Sequence, residues 1–151
     1  MSQAIEIQMI TAEKTWNLRH LVLRPNASFE AIKNPEDQLP NTFHLGAYIQ
    51  NELVGISSFH EEELARLSAT RPYRLRGMAT DPNFQRRGIG TQLMEKGVLE
   101  LQKTNSDLLW CNAREVAFPF YQGLGLLTLE PLFEISGVGP HKVMYKYLSQ
   151  R

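Results

Sequence analysis

The segment Gln85-Arg86-Arg87-Gly88-Ile89-Gly90 constrains this chain more than any other. It follows Tyr73 to Thr80, which reads as a strand. It opens a stretch from Gly88 to about Gln102 in which Ile89, Leu93, Met94, Val98 and Leu101 recur at helical spacing. A strand feeding a helix through a basic, glycine-containing loop makes an anion site. The first turn of a helix has backbone N–H groups with no intrahelical partner, and the helix dipole places partial positive charge there. Gly88 and Gly90 lack a Cβ, so phosphate oxygens can come close to the backbone. Arg86 and Arg87 add permanent charge and planar donors. Residues 85 to 91 therefore predict a phosphorylated ligand.

Two familiar phosphate loops are excluded. A P-loop needs Gly-Lys-Ser or Gly-Lys-Thr after four intervening residues, and Gly88 is not followed by them. A dinucleotide fingerprint needs a third glycine three positions after Gly90, where Leu93 stands. The anion site is also local. Sixteen basic residues balance sixteen acidic ones, so no general attraction to nucleic acid is expected. Cys111 is the single cysteine, which excludes an intrachain disulfide and a cysteine-based zinc cluster, and the four scattered histidines show no ligand spacing. No metal is predicted. Met1 to Ile10 does not read as a signal peptide, and no apolar run reaches the roughly 20 residues that span a bilayer. A cytoplasmic location and no membrane partner are the expectations, and a homodimer is left open. A length of 151 residues fits one domain over 1–151.

The rest of the chain supplies the sheet. Ile5, Ile7 and Met9 alternate with polar residues as in a half-buried strand. Thr11 caps a helix whose apolar stripe is Leu18, Leu21 and Val22, ending at Arg24-Pro25. Residues 25 to 42 carry three prolines and read as loop, with a helical turn or two over Ser28 to Lys33. Phe43 to Ile49 and Leu53 to Phe59 form a hairpin about Gln50-Asn51-Glu52. Leu108-Leu109-Trp110-Cys111 is a continuous apolar run, as in a strand buried on both faces. Tyr73 to Asn112 thus predicts a right-handed crossover joining parallel strands. Arg114 to Gly123 reads as a short helix. Leu126 to Ile135 and Lys142 to Leu148 read as two further strands, with Gly137-Val138-Gly139-Pro140 as the turn between them.

The ordered set LRGMATDPNFQRRGIGTQLM, residues 75 to 94, resembles the signature of the GCN5-related N-acetyltransferase (GNAT) family, whose motif is Q/R-x-x-G-x-G/A. Asn112-Ala113 and Phe120-Tyr121-Gln122-Gly123-Leu124-Gly125-Leu126 resemble that family's asparagine-bearing fifth strand and its F-Y-x-x-L-G-F segment, with Leu126 in place of the usual Phe. The resemblance implies an α+β acyl-CoA N-acyltransferase fold. That fold has a mixed, mostly antiparallel sheet of about seven strands, a parallel and splayed fourth and fifth pair, and helices on both faces. It implies transfer of an acetyl group from acetyl-CoA to a primary amine of a small molecule or peptide. By the same resemblance, backbone groups of Met78 and Thr80 would pair with the pantetheine arm; the developing oxyanion needs a fixed donor, for which a backbone N–H near Met78 or Ala79 is the candidate. Gln85, Arg86, Arg87, Gly88, Ile89, Gly90 and Thr91 would hold the pyrophosphate, Asn112 would bond the arm from the other strand, and Tyr121 would be the general acid. An acyl-CoA-binding regulator without turnover is the alternative.

The general base has no motif. Glu61, Glu62, Glu63, His60, His44 and His141 are the candidates, and His141 is preferred because Gly-Pro-His before the last strand can face a cleft. The Glu61 to Glu63 run otherwise reads as a solvated face. Arg74 and Arg76 either pair with that run or face an anionic acceptor. Cys111 beside Trp110 reads as a core residue.

Overall fold

The computed structural model describes residues 4–149. Alternating apolar residues build one seven-stranded sheet: β1 (Glu6–Ile10), β2 (Phe43–Ile49), β3 (Glu52–Glu61), β4 (Pro72–Thr80), β5 (Leu108–Arg114), β6 (Leu127–Ile135) and β7 (Gly139–Tyr147). The strands lie in the order β1-β2-β3-β4-β5-β7-β6, and every neighbouring pair is antiparallel except the parallel β4 and β5. The predicted hairpin joins β2 to β3 through Gln50 and Asn51, at φ 48° and 65°. Two left-handed residues in a two-residue loop match the twist of the strands they connect.

Helices cover both faces. On one, α2 (Ile89–Lys103) buries Ile89, Leu93, Met94 and Leu101 against Leu45, Phe59, Leu75 and Cys111. Full burial of each such side chain contributes about 1.5–3 kcal/mol. Gly97 interrupts this stripe for a packing reason: a Cβ there would lie 2.2 Å from Cζ of Phe59. The short α3 (Phe118–Gly123) packs on the same face through Tyr121, with Pro119 in its first turn. A 3-10 turn, Glu115–Ala117, precedes it. On the opposite face α1 (Ala12–Leu18) sets Leu18 against Ile56 and Ala79.

The first helix departs from its pattern. Thr11 sits at the N-cap but makes no side-chain cap bond. After Leu18 the chain widens into a π turn, Arg19–Leu23, and Leu21 is 56% exposed rather than part of an apolar stripe. The wider turn shifts the buried face by a residue. Arg19 goes inside instead, pairing with Asp37 at 2.6 and 2.8 Å and donating to Ser58 Oγ at 2.8 Å and Ile32 O at 3.1 Å. Asp37 belongs to the second of two 3-10 turns, Phe29–Ile32 and Pro35–Gln38, so this ion pair anchors the 25–42 loop to the sheet. The last strand also starts earlier than its apolar pattern indicates. The turn ends at Val138, and Pro140 and His141 already pair with Glu134 and Phe133 of β6. His141 is a strand residue.

Candidate active site

The site begins where the sheet opens. Parallel pairing of β4 and β5 runs through Pro72, Tyr73 and Arg74 opposite Leu108, Leu109 and Trp110, and then stops. From Leu75 onward the edge of β4 that faces β5 has no strand partner, which leaves backbone donors and acceptors to be satisfied by something else. Against β3, Arg76 to Ala79 spans three steps of β4 opposite two of β3, Ser58 to Ile56, so the strand bulges at Gly77 and Met78. Gly77 is left-handed at φ 63°, and a Cβ there would meet Nε of Arg19 at 2.9 Å. Only glycine meets both demands.

The opening is a cleft of about 1140 Å³. Met78, Ala79 and Thr80 form its β4 wall, and Asn112 stands on the β5 wall. Gln85, Arg86 and Gly88 come from the loop, and Ile89, Gly90 and Thr91 from the start of α2. Tyr121 enters from α3 and His141 from β7. Arg87 is exposed and does not line the cleft; its guanidinium lies 5.0 Å over the Phe84 ring. Gly88 is the N-cap of α2 at φ 80°, with no side-chain cap, and the space where its Cβ would stand is open. The uncapped N–H groups of the first turn face a ligand site without competition from a side chain. Gly90 allows Phe120 to close on the helix, since a Cβ there would sit 3.1 Å from Cζ of Phe120.

Tyr121 is 8% exposed and its ring packs edge-on to Phe120 at 5.1 Å. Burial, with a smaller contribution from Cys111, pushes its phenol well above the ordinary value, so it stays protonated and acts as a donor. No described residue accepts a hydrogen bond from that hydroxyl. Cys111 is pushed up to about 12 by burial, which leaves a neutral core thiol and no nucleophile.

His141 is 4% exposed, and its Nδ1–H donates to Gly139 O at 2.8 Å. A carbonyl can only accept, so in the neutral ring the free lone pair is on Nε2. None of the other candidate bases lines the cleft. His44 is held by Ser58 Oγ at 2.7 Å and Asp37 O at 3.2 Å, and burial lowers its pKa. His60 is bound to Glu62 at 2.7 Å, and Glu61 accepts from Asn41 at 3.0 Å. Glu63 is exposed.

The chain matches the model of the acetyltransferase (GNAT) domain over residues 17–147. It belongs to the GNAT acetyltransferase family. The N-acetyltransferase YitI of Bacillus subtilis, itself uncharacterised, is 37% identical over 144 residues, covering 95% of this chain and 97% of that protein. Two solved structures share the fold. FeeM, an N-acyl amino acid synthase from uncultured soil microbes, superposes with TM-score 0.81 at 13% identity, covering 97% of this chain and 92% of that one. An aminoglycoside 6'-N-acetyltransferase complexed with coenzyme A gives 0.76 at 15%, covering 97% and 98%. At these identities the likeness is one of fold.

GNAT enzymes are acyltransferases that use acyl-CoA and act on amine acceptors, and the residues here fit such a donor. The uncapped start of α2 suits a diphosphate, and the unpaired edge of β4 suits an extended amide-bearing arm. Among the described residues no helix is long and apolar enough to cross a membrane. Two wall residues, Arg24 and Arg114, escaped the sequence reading. Strand alternation was the available signal for Arg114: it lies two residues past Asn112, on the same side of β5. Its Nη2 donates to Leu23 O at 2.8 Å and so ties β5 to the π turn.

Proposed function

We propose that this protein is an acetyl-CoA-dependent N-acetyltransferase that acetylates a primary amine by direct attack on the thioester. The observation that supports it best is the convergence of two unsatisfied backbone sets on one cleft: the first turn of α2 and the β4 edge beyond Arg74. Acetyl-CoA, when bound, supplies an acyl group activated as a thioester. Backbone N–H groups over Arg86 to Thr91 hold its diphosphate. Met78 and Thr80 on one wall, and the Asn112 amide on the other, align the arm. A backbone N–H of Met78, in the bulge, or of Ala79 beside it stabilises the developing oxyanion. His141 Nε2 takes the proton from the attacking amine, directly or through water. Tyr121 donates to the departing sulfur.

Calorimetric titration of acetyl-CoA and thiol release with a panel of primary amines test this reading. Gly88→Asp adds strain at a left-handed position and a negative charge in an open space that faces the diphosphate. The strain costs the free and the bound protein alike, so the effect on binding comes from the carboxylate facing the diphosphate. A like-charge juxtaposition costs several kcal/mol, and acetyl-CoA affinity should fall about 100-fold or more. Unchanged affinity in Gly88→Asp would sink the loop assignment. Tight binding by the native protein, with no amine raising thiol release, would replace the enzyme with a non-catalytic acyl-CoA-binding module.

A further inference from the structure

The cleft is charged asymmetrically in a chain that is neutral overall. Arg24, Arg74, Arg76, Arg86 and Arg114 line it, and none of the residues that line it is Asp or Glu. Arg86 lies at the loop that suits the diphosphate, Arg114 is committed to Leu23 O, and Arg24 is exposed at the rim. Arg74 and Arg76 remain. They lie two residues apart on β4, where alternation puts both side chains on the face away from α2. Trp110 and His141 share that face. The Arg74 guanidinium lies 5.1 Å over the Trp110 ring, and His141 pairs across β7 and β6 with Phe133, which packs in the Trp110 cluster.

Neither guanidinium is satisfied. Arg74 reaches both oxygens of Glu62 only at 3.4 Å, and its Nε is buried without a hydrogen bond. Glu62 is already held at 2.7 Å by His60. Arg76 makes no hydrogen bond to a described residue, and its one ion pair, to Glu36, is 3.7 Å long. A guanidinium has five donors arranged for planar oxyanions, and both side chains line the cleft with donors that no described residue uses. Burial first, and then the charge of Arg74, push Arg76 below the ordinary arginine value. Two like charges are thus held near each other with no counter-ion of full strength.

Resting on the acetyltransferase reading above, we propose that the amine acceptor is a small molecule carrying an anionic oxyacid group, carboxylate or phosphate, that Arg74 and Arg76 hold. The anion fixes the acceptor by its far end on β4 and leaves its amine toward His141 and the thioester. Acidic acceptors thereby gain on neutral ones, and cationic ones are repelled.

The test is steady-state thiol release with matched acceptors: an amino carboxylate, its carboxamide, and an aminoalkyl phosphate of similar length. Charge-assisted hydrogen bonds to guanidinium predict kcat/KM for the anionic amines about 10- to 100-fold above the carboxamide. Arg76→Gln should remove most of that preference and leave KM for acetyl-CoA unchanged. The ratio of phosphate to carboxylate identifies which oxyacid is native. Equal use of carboxylate and carboxamide, or a preference that survives both Arg76→Gln and Arg74→Gln, overturns the proposal. Should no amine release thiol, the acetyltransferase reading fails separately. Calorimetry of the same three compounds on the CoA-loaded protein then decides the subsite: selective binding of the anionic amines sustains it, and equal binding removes it.

Discussion

Tyr121→Phe separates two ways in which a tyrosine can help a thiolate leave. A phenol ordinarily titrates near 10 and a thiol near 8.5, so full proton transfer to the sulfur is uphill by at least about 1.5 units, or about 2 kcal/mol. Burial pushes the Tyr121 phenol higher still and widens that gap. On the proposed mechanism Tyr121 would therefore serve as a hydrogen-bond donor to the developing anion and keep its proton. A hydrogen bond to a charged partner contributes about 1.5–3 kcal/mol, so kcat in Tyr121→Phe should fall about 10- to 150-fold with KM for acetyl-CoA nearly unchanged. No described residue accepts from the hydroxyl, so thermal unfolding should shift little, within about 0.5 kcal/mol. The assay is kcat from about pH 6 to pH 10 in both proteins. Parallel profiles are expected, because a phenol raised by burial does not titrate in that range. An alkaline limb present in the native protein and absent from the variant would refute it, as would an unchanged kcat.

Two further predictions concern the frame that holds the cleft open. Asp37→Ala leaves Arg19 charged and buried at 3% exposure, which should cost about 3–5 kcal/mol in chemical denaturation. Burial raises the Asp37 carboxyl, but Arg19 and the Asn34 N–H together outweigh it and hold the pKa below 3.8. Its stabilisation is then complete above about pH 3.8 in the native protein and is lost as pH falls further, an acid limb that the variant should lack. His44 acts higher on the scale: kept neutral by burial below its ordinary 6.5, it makes stability decline as pH drops from about 6.5 in both proteins. Gly97→Ala improves helix propensity by about 1 kcal/mol, yet its Cβ would stand 2.2 Å from Phe59 Cζ. Overpacking should dominate and destabilise by about 1–3 kcal/mol in the same assay. A stabilised variant would show that Phe59 moves aside freely.

The elements that were legible are those whose signal is local. Strand alternation, the Gln50-Asn51 turn and the apolar stripe of α2 each depend on residues a few positions apart. The π turn after α1 was not legible, because Arg19 is drawn inside by Asp37, eighteen residues away, and by Ser58, thirty-nine away. The start of β7 was misplaced because Gly139 and Pro140 read as turn residues, whereas pairing with β6 holds them in the sheet.

Gln85 to Gly90 announced an anion-binding helix start from its own residues, since glycine, arginine and the geometry of a first helical turn need no distant partner. The family motif then indicated the donor. Sequence left the acceptor side undecided: no motif separated the six candidate bases, His141 being preferred only for its Gly-Pro-His setting, and Arg74 and Arg76 could as well have paired with Glu61 to Glu63. The folded chain discriminates among them because side-chain partners in a sheet are set by register and burial across strands far apart in sequence. His44 and His60 lie outside the cleft, held by Ser58 and Glu62; Arg74 does reach Glu62, at 3.4 Å, and Arg76 reaches Glu36 at 3.7 Å, yet both arginines line the cleft together with His141.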